Sequence, residues 1–400
     1  MSRRPALLVT STFPRHPHDP VGRFLLELLR AMKRELTVVA PDDPQTAAHP
    51  LPGARRVLVP HRGLFYGAGA VANVRNRRRS RPGAALDVMR FLRATTRNAP
   101  GHSVIWSHWA LPAGLAGARA GRRHRIPHLL SLHGGDVWLL ASAPGGRALA
   151  RYLARRCAAI TAPRAGLADT FADLSGRRPL VLPLGVHGVE RPPRSDRPLR
   201  LGCLSRLVPG KGLRALVRHA DGLPGELLIA GDGPLASELA SAALPRPNVR
   251  LVGPLVDDDK RAFLASLDGF VAPYGPSPWG QTEGLPVAVL EALAAGLPVL
   301  AFASSCPGDT LRHEGNALLV DDGDVAALVN ASQRLAHDAG LLAALAATAR
   351  ASAAPFAMST VAPAWNALLD ALADGTDPTI AVAQALNRDD SALGAVPYGS

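Results

Sequence analysis

Apolar and polar positions follow two alternating patterns along the first half of this chain. Short apolar runs occupy 6–12, 36–40, 57–60, 104–108, 128–133 and 158–162. Among them lie stretches at 22–33, 84–96, 112–120 and 147–155 whose apolar residues recur three and four apart. The runs predict buried strands and the spaced stretches predict amphipathic helices. Strands alternating with helices build a parallel sheet. The pattern stops at 191–198, a polar, proline-rich segment without period that reads as a linker. It restarts with apolar runs at 199–205, 226–230, 249–252, 269–273, 297–302 and 317–320. The predicted fold class is therefore α/β, with one domain at 1–190 and a second at 199–354. Residues 355–372 carry helical spacing interrupted by Pro363, and 373–400 show no period and read as a mobile tail.

Chemistry concentrates in the second domain. Between Gln281 and Val299 two carboxylates, Glu283 and Glu291, stand in an otherwise apolar stretch that predicts an interior helix. Pro286 suits its first turn and Gly296 its C-terminal cap. A carboxylate in such a helix costs several kcal/mol, roughly, unless it is hydrogen-bonded. Glu291 therefore needs a partner: a neighbouring helix end, an arginine or a ligand. Eight helical steps of about 1.5 Å set the two carboxylates ~12 Å apart, a span that suits an elongated ligand. Upstream, 199–212 reads as a strand entering a basic glycine-rich turn with Arg206, Gly210, Lys211 and Gly212. Glycines allow close backbone approach, and the N–H groups of a following helix face an anion. Arg206 and Lys211 add charge, the first as a bidentate fork and the second as a compact point. Lys33, Lys211 and Lys260 are the only lysines in a chain with 45 Lys and Arg together. A lysine between two glycines in so arginine-rich a chain marks a place where a guanidinium does not fit; the other reading is a solvated basic loop.

Arg206 and Lys211, then Gly-Asp-Gly-Pro at 231–234 with Asp232, then Glu283 and Glu291 occur in an order that resembles the retaining, nucleotide-sugar-dependent glycosyltransferases of family 4. The resemblance continues at 248–253 and 315–320, and in the first half at 10–14, 107–114 and 132–136, so it covers about residues 5 to 370. It implies two Rossmann-like domains facing across a cleft (GT-B), with the terminal helix returning to the first domain. It also implies transfer of a sugar from a nucleotide-diphosphate donor to a hydroxyl of a glycan, a lipid-linked molecule or a small molecule. By the same resemblance Arg206 and Lys211 hold the diphosphate, and Glu291 accepts from the ribose hydroxyls. Glu283, with the N–H groups of Gly284 and Leu285 at the helix opening, meets the donor sugar or phosphate, and Asp232 lies on the donor side. In the first domain His133 stands beside the donor sugar, where it holds a sugar hydroxyl or the acceptor. Gly22 lies in a proline- and histidine-rich loop, 13–23, that brings backbone close to acceptor and diphosphate and reads as a mobile lid. Asp136 reads equally as a supporting residue of the site or a helix cap, and His108 with Trp109 reads as structural before it reads as a border of the acceptor pocket.

No cofactor or metal is expected. The Asp257-Asp258-Asp259 run matches the Asp-x-Asp metal signature of another glycosyltransferase fold, yet reads better as carboxylates at a helix start. Two departures from the family pattern stand out: Pro286 where glycine is common, and Leu184-Gly-Val-His187 where Asn-Gly-Val-Asp is usual.

Bulk properties narrow the setting. Cys157, Cys203 and Cys306 lack metal-ligand spacing and suit a reduced cytoplasm. The apolar run after Arg3 and Arg4 is too short for a signal core, and no run approaches the ~20 apolar residues of a membrane span. The expectation is a soluble cytoplasmic protein, peripheral at the inner membrane face. The net charge of +13 is densest at 75–81 and 122–125. It suits a solvated basic face or an anionic membrane surface better than nucleic acid, since aromatics are 4% and no zinc finger or RNA-binding motif occurs. Other readings are a non-catalytic sugar-nucleotide-binding or scaffold protein, and an epimerase or phosphorylase of the same architecture. Arg206, Lys211, Glu283 and Glu291 together weigh against a scaffold. A redox enzyme would need Gly-x-Gly-x-x-Gly after the first strand, and the chain has none there.

Overall fold

The computed structural model describes residues 5–43, 55–66, 81–193, 197–275, 286–306, 308 and 310–387, for Arg81 and Pro82 the backbone only. The chain divides into two compact units, Met1–Gly185 with Met358–Ser400, and Val186–Ala357.

In the first unit β1 (Ala6–Thr10) leads to α1 (Arg23–Met32), β2 (Leu36–Pro41), β3 (Arg55–Val59) and α2 (Arg81–Asn98). There follow β4 (Val104–His108), α3 (Leu115–His124), β5 (His128–Ser131), α4 (Gly135–Ser142), α5 (Gly146–Arg156), β6 (Ala159–Ala162), α6 (Ala165–Ser175) and β7 (Leu180–Val181). The strands form one parallel sheet in the order β3-β2-β1-β4-β5-β6-β7. Successive side chains of a strand point to opposite faces, and both faces here are apolar because helices cover both. Leu8, Val38, Trp106 and Leu129 share one core with Leu25 and Leu29 of α1. Leu7, Val9, Val39 and Ile105 share another with Phe91 of α2 and Ala116 of α3.

The second unit runs β8 (Leu199–Leu204), α7 (Leu213–Arg218), β9 (Gly225–Ala230), α8 (Ala236–Ala243), β10 (Val249–Gly253) and α9 (Asp257–Ala265). It continues with β11 (Gly269–Ala272), α10 (Val287–Ala294), β12 (Val299–Phe302), β13 (Ala317–Val320), α11 (Val325–His337) and α12 (Ala339–Ala353). Its parallel sheet has the order β10-β9-β8-β11-β12-β13. The segment read as a linker is anchored to this unit. Arg191 donates to Gly296 O and Leu267 O at 2.9 and 2.5 Å, and Arg197 pairs with buried Asp268 at 2.6 Å.

The chain ends, as described, in α13 (Met358–Asp374) and α14 (Pro378–Leu386), both part of the first unit. Trp365 of α13 is buried, stacks on Trp106 at 4.9 Å and donates to Pro183 O at 3.0 Å. Asn366 donates to Met32 O, and buried Arg34 pairs with Asp370 at 2.6 Å. Two expectations are corrected here. Pro363 lies inside α13 and does not interrupt it. Nor is the chain from 373 onward a mobile tail throughout, for Asp377 caps α14 by accepting from Thr379 N–H, Pro378 opens it, and Val382 and Ala383 are buried. An N-cap aspartate followed by proline is a helix-start signal that outweighs a weak apolar period. Residues 388–400 lie outside the described ones.

Among the described residues one stretch, 339–356, has the length and apolarity to cross a membrane. Half of its residues are alanine, and Leu345, Ala349 and Ala353 are buried in the core of the second unit.

Candidate functional site

Ligands of doubly wound sheets bind beyond the carboxyl ends of the strands, where the strand order reverses. In the second unit that point lies between β8 and β11. The loop after β8 carries Arg206 and Lys211, and three backbone bonds lace it to the loop after β9. Ser205 N–H donates to Ala230 O at 3.1 Å, Leu207 N–H to Asp232 O at 2.8 Å and Leu235 N–H to Leu207 O at 3.0 Å. The sequence-predicted Arg206, Lys211 and Asp232 are therefore brought to one edge. Arg206 is exposed, and the carboxylate of Asp232 accepts from the neighbouring Gly233 N–H at 2.7 Å. Gly212 adopts a φ of 66°, and a Cβ there would lie 1.9 Å from Pro273 O, so only glycine lets the turn close against the segment after β11. The ammonium of Lys211 sits 4.0 Å from the ring centre of Tyr274, a buried residue whose hydroxyl donates to Leu204 O at 3.1 Å. The aromatic face favours the cation.

Glu291 lies in α10 and is 6% exposed. Lys260 of α9 donates to its Oε1 at 2.5 Å, so the demand for a partner is met first by a lysine, not an arginine or helix end. The helix closes as predicted at Gly296: Gly296 N–H donates to Leu293 O and Leu297 N–H to Ala292 O, the paired bonds of a Schellman cap. Its start differs from the expectation. Pro286 is the N-cap, in extended conformation, and the helix begins at Val287. The extended backbone of Pro286 sets the N-terminal limit of the helix. Glu283, Gly284 and Leu285 lie outside the described residues, and the ~12 Å helical spacing does not apply to the carboxylate pair. The Asp257–Asp259 run forms the first turn of α9, where Asp258 meets Arg261.

In the first unit the order reverses between β1 and β4. Gly22, with a φ of 73°, is the N-cap of α1, and a Cβ there would lie 2.9 Å from Thr12 O in the loop after β1. That loop, read as a mobile lid, is braced from within. The buried carboxylate of Asp19 accepts from Arg15 N–H and Val21 N–H at 2.9 and 3.0 Å and pairs with the Arg15 guanidinium at 2.6 Å.

His133 follows β5. Its Nε2 lies 2.8 Å from Nδ1 of His108, Trp109 stacks on its ring at 4.3 Å, and Phe24 stands at 5.5 Å. Burial pushes His133 down to about 3 and His108 well below the usual histidine range, the neighbouring imidazole adding to the second shift. Both shifts favour the neutral imidazole, a form that hydrogen-bonds without carrying charge. Buried His108 Nε2 and Trp109 Nε1 have no partner among the described residues. Asp136 holds the assembly together. Its Oδ1 accepts from His133, Gly134 and Val137 N–H and its Oδ2 from Ala110 N–H, each at 3.0 Å. It thus ties the loop after β5 to the loop after β4. Burial raises its pKa, and those backbone donors oppose the rise.

Sequence reasoning missed Tyr274, Asp19 and the Lys260 pairing. Lys260 carried a usable signal, being one of so few lysines; the other two show their roles only through packing.

Two family models match the chain, "Glycosyltransferase Family 4" over 21–187 and "Glycosyl transferases group 1" over 198–338. A GDP-mannose-dependent alpha-(1-6)-phosphatidylinositol monomannoside mannosyltransferase of Mycobacterium tuberculosis is 30% identical over 390 residues, 88% of this chain and 93% of that protein. A GDP-mannose-dependent monoacylated alpha-(1-6)-phosphatidylinositol monomannoside mannosyltransferase of Corynebacterium glutamicum is 29% identical, over 62% of this chain and 70% of its own. Among solved structures, a sucrose-phosphate synthase of Thermosynechococcus elongatus superposes with a TM-score of 0.74 at 17% identity, covering 94% of this chain and 100% of that one. HepE of Anabaena, in complex with UDP and glucose, gives 0.68 at 18% identity, covering 90% and 97%.

Proposed function

We propose a donor, an acceptor class and residue roles for this chain, which belongs to the family 4, group 1 glycosyltransferases and has their GT-B fold. It is a retaining, metal-independent enzyme that moves a sugar from a nucleotide-diphosphate donor to a hydroxyl acceptor. The finer reading is transfer of mannose from GDP-mannose to a lipid-linked acceptor. The full-length similarity to a mannosyltransferase of that donor supports it. So does the basic charge of the first unit, which suits work at an anionic membrane surface by a cytoplasmic, peripherally bound enzyme. Of the dense cluster at 75–81, residues 75–80 lie outside the described ones.

One observation carries the roles: Lys211 is set over Tyr274 in a glycine turn that closes on the crevice between β8 and β11. The reaction breaks the bond between C1 of the sugar and the leaving phosphate oxygen and forms one from C1 to the acceptor oxygen on the same face. The acceptor proton passes to the leaving phosphate. Charge grows on the diphosphate as its bond breaks, and Lys211 with Arg206 neutralises it; preorganised charge of this kind is commonly the largest catalytic term. Glu291, oriented by Lys260, accepts from the ribose hydroxyls. Glu283, with Gly284 and Leu285, holds the donor sugar, and Asp232 borders the donor. Neutral His133 donates to a sugar or acceptor hydroxyl, and Gly22 lets the backbone approach the diphosphate. No cofactor takes part in this scheme.

The test is thermal stability against UDP-, GDP- and ADP-sugars, with Lys211→Ala and Glu291→Gln alongside. A hundredfold excess of ligand over Kd adds about 2.7 kcal/mol. The expected result is a shift with GDP-mannose that is lost in both variants. A shift with another nucleotide-sugar would overturn the donor assignment, and one retained in both variants would overturn the roles.

A further inference from the structure

We infer that a basin ringed by Arg122, Arg125, Arg155 and Arg156 in the first unit is a binding site for a multiply charged phosphate group, separate from the donor site. The basin has a volume of about 400 Å³ and opens at the amino ends of β5 and β6, with His128 and Cys157 in its lining. His133 follows the opposite, carboxyl end of β5, roughly 13 Å away along a four-residue strand.

Three observations converge. First, the lining holds four arginines and no acidic side chain. All four are exposed, and none makes an ion pair among the described residues, Arg156 only standing over the Tyr152 ring at 5.8 Å. Second, hydrogen-bonded helix capping does not account for Arg155 and Arg156. Cations suit helix C-termini, but the C-terminus of α5 is already served from elsewhere. Arg177 donates to Ala154 O, Cys157 O and Ala158 O at 2.8, 2.6 and 2.7 Å. Third, the floor is neutral and internally paired. Nδ1 of His128 meets Cys157 Sγ at 3.3 Å and its Nε2 meets Ser107 Oγ at 2.9 Å, while burial keeps the imidazole uncharged. Like charges gathered around a neutral floor repel one another, and an anion relieves that repulsion. Guanidinium forks match phosphate oxygens, and the volume takes a diphosphate or a phosphorylated headgroup. None of this rests on the proposed donor or acceptor.

The experiment uses the full chain in two arms. Inorganic pyrophosphate is titrated calorimetrically, and co-sedimentation is measured with phosphatidylcholine vesicles with and without phosphatidylinositol phosphate. Each arm compares wild type, Lys211→Ala, the basin pair Arg122→Ser/Arg155→Ser, and a charge-matched control on α2, Arg93→Ser/Arg97→Ser, with circular dichroism to confirm folding. The expected result is binding that survives Lys211→Ala and weakens about tenfold or more in the basin pair but not in the control. Seen with pyrophosphate, it identifies a soluble phosphorylated ligand; seen only with phosphoinositide vesicles, a lipid headgroup. Equal losses in basin and control variants, or no binding in either arm once Lys211 is replaced, would overturn the inference.

Discussion

Two neighbourhoods decide behaviour at the scale of single residues. Lys211 is confined by the glycine turn and the Tyr274 ring, so its charge arrives at one place. Lys211→Ala is expected to lower kcat/KM by about 10²–10³, as for loss of one preorganised donor. Lys211→Arg should recover little of it, because a planar fork cannot replace a compact ammonium there; steady-state kinetics of the two variants checks both. Buried imidazoles set the second behaviour. His128 is held at about 3 by burial, below its unfolded value near 6.5. Between those limits the unfolded chain binds more protons than the folded one, so stability rises with pH across the window and is lost as pH falls below 6.5. His128 alone accounts for about 2 kcal/mol lost between pH 6.5 and 5. Tm measured at pH 7 and pH 5 should fall, and fall less in His128→Gln; an unchanged slope would locate the acid sensitivity elsewhere. His133 is held low in the same way, so kcat should show no limb near pH 6 that His133→Gln abolishes.

At the scale of elements, α10 and α13 each couple a helix to something distant in sequence. In α10 an apolar helix carries one buried carboxylate, matched by Lys260 of α9. Removing the ammonium withdraws this ion pair from a buried carboxylate, so Lys260→Met is expected to lower stability, by as much as about 3–5 kcal/mol. Lys260→Met/Glu291→Leu should regain most of that stability while nucleotide-sugar binding stays lost. Chemical denaturation and a binding titration on the same proteins separate the structural from the functional share. If the double variant still bound donor, Glu291 would be structural only. In α13 the indole of Trp365 fills the sheet face beneath Trp106. Trp365→Ala should therefore cost about 3–5 kcal/mol, measured as a lower denaturation midpoint for the first unit.

At the scale of the whole molecule, two sheets of the same construction carry different chemistry at their reversal points. The first presents neutral rings, His133 with His108 and Trp109. The second presents cations, Arg206 and Lys211, beside a crevice. The sequence by itself determined the strand-helix alternation, because buried parallel strands must be continuously apolar and the helices between them must not be. Nearly every strand was legible for that reason; the two-residue β7 was too short to show a period. It also determined the glycine-lysine turn and the apolar helix with its one carboxylate, since these are local choices of residue type. Only the tertiary structure decided which partner a buried group meets. Lys260 lies 31 positions before Glu291 and Tyr274 lies 63 after Lys211, and no periodicity carries information across such gaps. The same holds for α14, whose packing against α13 comes from long-range burial that a short aperiodic segment does not display. It holds too for the arginine basin, assembled from the ends of two helices that the sequence shows as one basic cluster and two unremarked residues. Pairing depends on geometry in space, and the chain spells out only what each residue is able to do.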